Sequence, residues 1–344
     1  LNYCTTREIL EQPHEWKRTL QFFKKSELDF LNELDARKSF RWIFIGCGTS
    51  YHIALAASFY FRSKLKVESY AFPGSEILLY PEAAFLDSDT IAVGISRSGE
   101  TTETVKALQF LRKNYQMPTL SLTGYKDSTM VKNSDWAIIL PFIAEESVVM
   151  TKSFSTLLFS LQILANLLSD GKIPEFYFRL PEEGYAILKQ NRNFGLELIE
   201  KRPIKKLIFL AQGALYGLAA EAMLKVQEMS LTSACAYHTL EYRHGPKSLV
   251  ENGFLIVHLA SRKGWELEKK VLIEMRKIGA NILIIGEPDL EFDADGWCKL
   301  PTGIPDEDRL ILYAPLIQLL ALNIALHKGL NPDKPRHLTQ VVKL

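Results

Sequence analysis

The sequence predicts an α/β fold in which one parallel-sheet unit occurs twice in tandem. Three observations carry this. Short β-branched runs alternate with longer helical runs. Two pairs of motifs recur at one constant spacing of 165 residues. The totals are those of an ordinary globular chain: 344 residues, 47% apolar and 24% charged. That length suffices for one large domain or two medium ones.

Residues 1–40 open with LNYCTTREILEQPHEWKRTL, a polar, amphipathic stretch that reads as a helical lead-in and not as a signal peptide. A first domain is expected over 41–170. In it RWIFIG precedes TSYHIALAASFYFRSKL, TIAVGIS precedes ETTETVKALQFLRKN, and MPTLSLTG adds a further strand. The Pro- and Gly-rich SDGKIPEFYFRLPEEG and the helical GYAILKQNRNFGLELIEKR form a linker and helix over 171–204.

A second domain over 205–330 restarts the pattern. IFIGCGTSYHIALAA (43–57) matches IFLAQGALYGLAAEA (208–222). Ile43, Phe44, Gly48, Tyr51, Ala54 and Ala57 pair with Ile208, Phe209, Gly213, Tyr216, Ala219 and Ala222. SRSG (96–99) matches SRKG (261–264) at the same spacing. The apolar stretches 154–168 and 310–326 fall short of the roughly 20 residues a membrane span needs. Both carry Gln and Asn, so they are expected as buried helices. The tail covers 331–344.

Charge and cysteine usage exclude several classes. With 41 basic against 40 acidic residues the net charge is +1, so no long-range field favours nucleic acid or an anionic membrane. An anion must be held by local geometry. Cys4, Cys47, Cys235 and Cys298 are scattered, so no CxxC spacing suggests zinc or a redox pair, and a reducing, cytoplasmic compartment is expected.

Two loops of the first copy have the composition of an anion cradle. CGTS and SRSGET each lie between a strand and a helix, where free backbone N–H groups and the helix dipole favour negative charge. Gly46, Gly48 and Gly99 permit tight turns, and Ser50, Ser96, Ser98 and Thr101 supply neutral donors for phosphate oxygens. Thr102 should turn away on the helix. Ser and Thr also serve as plain helix caps, but two such loops in one unit favour phosphate. Neither is a Walker loop, so nucleotide hydrolysis is not indicated. The second copy replaces the hydroxyls with QGAL and SRKGWE, so the anion site is assigned to the first.

The stretch EAMLKVQEMSLTSACAYHTLEYRHGPKSL (221–249) carries the other candidate chemistry. Glu221, Lys225 and Glu228 fall at i, i+4 and i+7 and share one helix face. The helix follows a strand, so part of it should be buried, and a buried carboxylate needs a reason. His244 precedes Gly-Pro, which would end a helix and fix the imidazole at a turn. Carboxylate, lysine and histidine together can move protons on a sugar phosphate.

CGTSY, SRSGET, the Glu221–Lys225–Glu228 helix and EYRHGP together resemble the sugar isomerase (SIS) family, in particular the isomerase half of glucosamine-6-phosphate synthase. The resemblance covers nearly the whole chain, from REILEQP at 7–13 to DKPRHL at 333–338. It implies two tandem SIS units, each a flavodoxin-like three-layer sandwich, with the tail closing over the site. By resemblance Gly48, Thr49, Ser50, Ser96, Arg97, Ser98, Thr101 and, more weakly, Thr151 bind the phosphosugar. Glu228 is similar to the base that shuttles a proton between C1 and C2. Lys225 resembles the group that steadies the intermediate's charge. His244 resembles a ring-opening histidine supplied by the neighbouring subunit, which implies a homodimer. No metal or organic cofactor is implied.

Three departures from the family pattern set the expected direction. The amidotransferase domain that makes ammonia from glutamine is expected to be missing. The tail reads PRHLTQVV where the family has PRNLAKSV, so Gln340 stands where a lysine forms a Schiff base with the ketose. Arg97 replaces a glutamine and adds charge beside the phosphate loop. The first two point to deamination, as in stand-alone SIS-type glucosamine-6-phosphate deaminases, including archaeal ones. The other readings are a galactosamine-6-phosphate deaminase, a fructosamine-6-phosphate deglycase, and a non-catalytic phosphosugar sensor.

Overall fold

The computed structural model describes residues 3–25, 30–84, 87–288 and 290–340. The chain divides into two compact units. Of the described residues, one holds those in 11–146, 152–181 and 339–340; the other holds those in 3–10, 147–151 and 182–338.

Helices α1 (Cys4–Lys25) and α2 (Phe30–Asp35) precede the first sheet. Its strands are β1 (Arg41–Gly46), β2 (Ser69–Pro73), β3 (Thr90–Ile95), β4 (Thr119–Thr123) and β5 (Trp136–Ile139). Between them lie α3 (Thr49–Leu65), α4 (Gly74–Leu79), α5 (Thr102–Tyr115) and α6 (Thr129–Lys132), and α7 (Lys152–Asp170) follows. The strands are all parallel, in the order β2-β1-β3-β4-β5. The inner strands are buried on both faces, as in a parallel sheet covered by helices, with Thr119, Ser121 and Thr123 of β4 as buried polar exceptions to an apolar run. On one side Ile43, Ile45 and Ala92 pack with Val105, Leu108 and Leu111 of α5. Trp42, Phe44 and Phe61 form an aromatic cluster with centroids 4.8–6.4 Å apart.

Helices α8 (Leu180–Gln190) and α9 (Leu196–Lys201) lead to the second sheet: β6 (Lys206–Ala211), β7 (Ala234–His238), β8 (Phe254–Leu259), β9 (Asn281–Gly286) and β10 (Gly296–Lys299). Helices α10 (Leu215–Ser230), α11 (Trp265–Ile278) and α12 (Leu310–His327) complete that unit. Read from β7, the order β7-β6-β8-β9-β10 repeats that of the first sheet, again all parallel.

The repeat extends to single residues. Trp42 pairs with Ser69, and Leu207 pairs with Ala234, each partner 165 residues further on. Gly48, the cap of α3, and Gly213, just before the Ala214 cap of α10, both have positive φ, 54 and 60. Lys66 and Leu231 end α3 and α10 in the same left-handed conformation, φ 59 and 50, unusual for residues with a Cβ. By length and composition α12 could cross a membrane. Here it is buried along most of its length and packs on α10.

Candidate active site

The order 2-1-3-4-5 reverses direction between β1 and β3, and ligands collect at the carboxyl ends of strands at such a point. The loops that follow β1 and β3 are the two hydroxyl loops. Thr49 and Ser50 are the first residues of α3, both nearly buried. The turn needs its glycines. A Cβ on Gly46 would lie 2.5 Å from the backbone of Ser50, and Gly48 carries the positive φ.

After β3 the chain bends through residues 97–99, with Gly99 at φ 67, and returns to an extended backbone at Thr101 before α5 begins at Thr102. Ser96 Oγ lies 3.0 Å from Thr101 Oγ1 and accepts the Gly99 N–H at 3.0 Å. Ser98 Oγ accepts the Glu100 N–H at 3.1 Å. The Glu100 carboxylate holds the other flank, accepting from Thr129 N at 2.7 Å and Thr129 Oγ1 at 2.8 Å. The structure thus brings Gly48, Thr49 and Ser50 onto one loop, and Ser96, Ser98 and Thr101 onto the loop of the adjacent strand.

Arg97 behaves differently from the other loop residues. Its guanidinium pairs with Glu145 at 2.8 Å and donates to the Gln340 carbonyl at 3.2 Å. Its charge is therefore matched by a fully buried carboxylate. Glu145 also accepts from Ser153 N at 2.9 Å and Ser153 Oγ at 2.7 Å. Gln340 donates its amide to the carbonyls of Glu145 and Glu146, at 3.3 and 3.0 Å. A cavity of about 610 Å³ is lined by Arg97, Ser98, Lys126, Glu145 and Gln340, among others, but not by Ser50, Ser96 or Thr101. Of the tail, only residues up to Gln340 are described; the rest of the PRHLTQVV motif lies outside the described residues. Glu145 escaped sequence reasoning because AEES reads as a solvated acidic turn.

The second unit holds the proton-moving candidates. Glu221 and Lys225 are fully buried on α10, and their charged groups lie 3.3 Å apart. Lys225 also contacts Glu228, whose side chain remains 18% exposed. Burial alone would push the Lys225 pKa down, but the two carboxylates outweigh it and hold it above the ordinary lysine value. The lysine stays an ammonium. His244 ends a short 3-10 turn over Glu241–Arg243, exposed, with its N–H donating to Glu241 O at 2.9 Å. Gly245 follows at φ 117, so the turn is fixed as the Gly-Pro pair predicts. Thr151 belongs to this unit and is buried, its carbonyl accepting from Gln318 at 3.1 Å.

Parallel sheets with two hydroxyl-bearing loops at the switch point define an α/β protein of the open, doubly wound class. Residues 36–167 match the SIS domain. The chain is 32% identical over 342 residues to a glutamine–fructose-6-phosphate aminotransferase (isomerizing) of Sulfurisphaera tokodaii, covering 98% of this chain and 56% of that protein. It spans little more than half the length of the curated relatives it matches. Among solved structures it resembles a glucosamine-6-phosphate deaminase from Thermotoga maritima, with TM-score 0.83 and 32% identity over 99% of this chain and all of that one. It also resembles the C-terminal domain of glucosamine-fructose-6-phosphate aminotransferase from Francisella tularensis, with TM-score 0.86 and 25% identity over 97% of this chain and 99% of that one. The chain belongs to the SIS family.

Proposed function

We propose that the protein deaminates glucosamine 6-phosphate, converting it with water to fructose 6-phosphate and ammonia. The observation that carries this reading is the Glu221–Lys225–Glu228 set. A carboxylate open to solvent on one side is backed by a buried ammonium, which orients it as a base. Two features support deamination over synthesis. The Gln340 amide is bonded to two carbonyls and offers no amine to condense with a ketose. The Thermotoga maritima relative that matches along its whole length carries the deaminase name.

In this reading the hydroxyls of Ser50, Ser96, Ser98 and Thr101 hold the phosphate, with Gly48 and Thr49 shaping the cradle. Arg97 fixes the loop through Glu145, and Thr151 is a further substrate contact. His244 helps open the pyranose. Its exposed position in one chain supports a role in a neighbouring copy's site, within a homodimer. Glu228 takes the C2 proton of the open aldehyde form, giving an enolamine across C1 and C2. Glu228 returns the proton to C1, which leaves an imine at C2. Water adds to that imine and expels ammonia. Lys225 acts through Glu228.

The test is to incubate the protein with glucosamine 6-phosphate, without cofactor, and follow ammonia and fructose 6-phosphate together. Equal release of both, abolished in Glu228→Gln while phosphosugar binding survives, is the expected result. Near-normal turnover in Glu228→Gln removes that residue from the role. Tight binding without release by the wild type overturns the assigned reaction.

A further inference from the structure

The loop after β8 is the counterpart of the loop after β3, 165 residues further on. Ser261 repeats Ser96 and Gly264 repeats Gly99. One hydrogen bond is repeated as well: the Gly264 N–H donates to Ser261 Oγ at 2.9 Å, as the Gly99 N–H does to Ser96 Oγ at 3.0 Å. There the likeness ends. Gly99 has φ 67, and α5 starts three residues later. Gly264 has φ −92, and α11 starts on the very next residue, Trp265.

That earlier helix start gives two equivalent glutamates different partners. In the first copy Glu103 Oε2 is buried with no hydrogen-bond partner among the described residues, and Ser96 Oγ meets Thr101 instead. In the second copy Glu268 lies one turn into α11 and folds back over the loop. Its Oε1 accepts from Ser261 Oγ at 2.8 Å. Its Oε2 accepts the Ser261 N–H at 3.2 Å and lies 3.0 Å from His258 Nε2. A Cβ on Gly264 would sit 2.4 Å from Glu268 Oε1, so the carboxylate is pressed onto the glycine. The next two N–H groups, of Arg262 and Lys263, both donate to the Asp306 carboxylate at 3.0 Å. In the first copy the Ser98 N–H has no internal acceptor among the described residues.

In the loop after β8 the N–H groups of Ser261, Arg262, Lys263 and Gly264 and the Ser261 hydroxyl are thus all taken by oxygens of the chain itself. A carboxylate presents two anionic acceptors to backbone N–H groups, as two phosphate oxygens would. It also repels a second anion brought close to it. We infer that Glu268, assisted by Asp306, is a built-in anion that fills the phosphate cradle of the second repeat, so that only the first repeat's cradle is open to a phosphorylated ligand. The inference rests on the repeat and not on the reaction assigned above.

The test counts inorganic phosphate bound per chain by equilibrium dialysis, in the wild type, in Glu268→Ala and in Glu268→Ala/Asp306→Asn. The expected result is one more phosphate per chain in a folded variant than in the wild type. Trp265, which stacks on His258 at 6.3 Å, should give a phosphate-dependent fluorescence change in that variant only. Equal counts in folded variants overturn the inference. If neither variant folds unaided, refolding that phosphate restores and chloride does not supports it, and refolding indifferent to phosphate overturns it. Failure of the deaminase reading would alter no term of this comparison, because the result is a difference between variant and wild type.

Discussion

Arg97 and Glu145 form an ion pair of 2.8 Å across 48 residues of chain, the arginine side chain 9% exposed and the glutamate fully buried. Removing one partner of such a pair leaves the other charge buried, at a cost of about 3–5 kcal/mol. Arg97→Gln and Glu145→Gln should each lower stability to urea by that order. The double variant should lose less than the sum, because no buried charge is then left alone. Additive losses in a double-mutant cycle would show that the two residues act independently.

Lys225 is the second place where a charge is held by neighbours. Lys225→Met removes the ammonium that lies between Glu221 and Glu228. The loss of stability should again be about 3–5 kcal/mol. Adding Glu221→Gln should recover part of it, since one of the two facing carboxylates is then neutral. In the proposed reaction the variant should lower kcat with KM for the phosphosugar little changed, because Lys225 lies on α10 and not on the loops after β1 and β3. A rise in KM at constant kcat would assign Lys225 to ground-state binding.

Glu221, Lys225 and Glu228 were legible in the sequence because helical periodicity alone places i, i+4 and i+7 on one face. Both sheets were legible because strand and helix patterns alternate and then recur at a fixed spacing. The Arg97–Glu145 pair was not, since no local rule joins residues so far apart, and a charge in a loop reads first as a solvated one. The partners of Glu268 were hidden for a subtler reason. Glu103 and Glu268 occupy equivalent positions, and only the point at which each helix starts decides which of them reaches its loop.

Gly99 tests the cradle itself. Its φ of 67 disfavours any side chain by about 1–2 kcal/mol, and a Cβ would lie 2.3 Å from Ser128 Oγ and 3.0 Å from Thr123 Oγ1. Gly171 has nearly the same φ, 66, with nothing near the position of its Cβ. Gly171→Ala should therefore show the backbone strain alone. Gly99→Ala should show that strain plus the collision, together with weaker phosphosugar binding. Equal unfolding midpoints for the two variants would mean that the α6 side of the loop yields without cost.

Asp333 gives the stability a defined pH dependence. Helix α1 has no acidic residue in its first turn. The Asp333 carboxylate serves instead, accepting from Cys4 N at 3.0 Å, Thr5 N at 2.8 Å and Thr5 Oγ1 at 2.6 Å. Burial raises its pKa, but the hydrogen bonds from Thr5 and Cys4 outweigh this and hold it below the ordinary aspartate value. A carboxyl whose pKa is depressed by folding contributes stability that is fully present above its unfolded value of about 3.9. That contribution is lost as pH falls through the lower, folded value. Asp333→Asn keeps an acceptor but loses the charge, so it should cost about 1 kcal/mol at neutral pH. The gap between wild type and variant should close in acid, where the aspartic acid is neutral too. Unfolding midpoints followed from neutral pH to about pH 3 would show this. A gap that stays constant over that range would assign the effect to shape and not to charge.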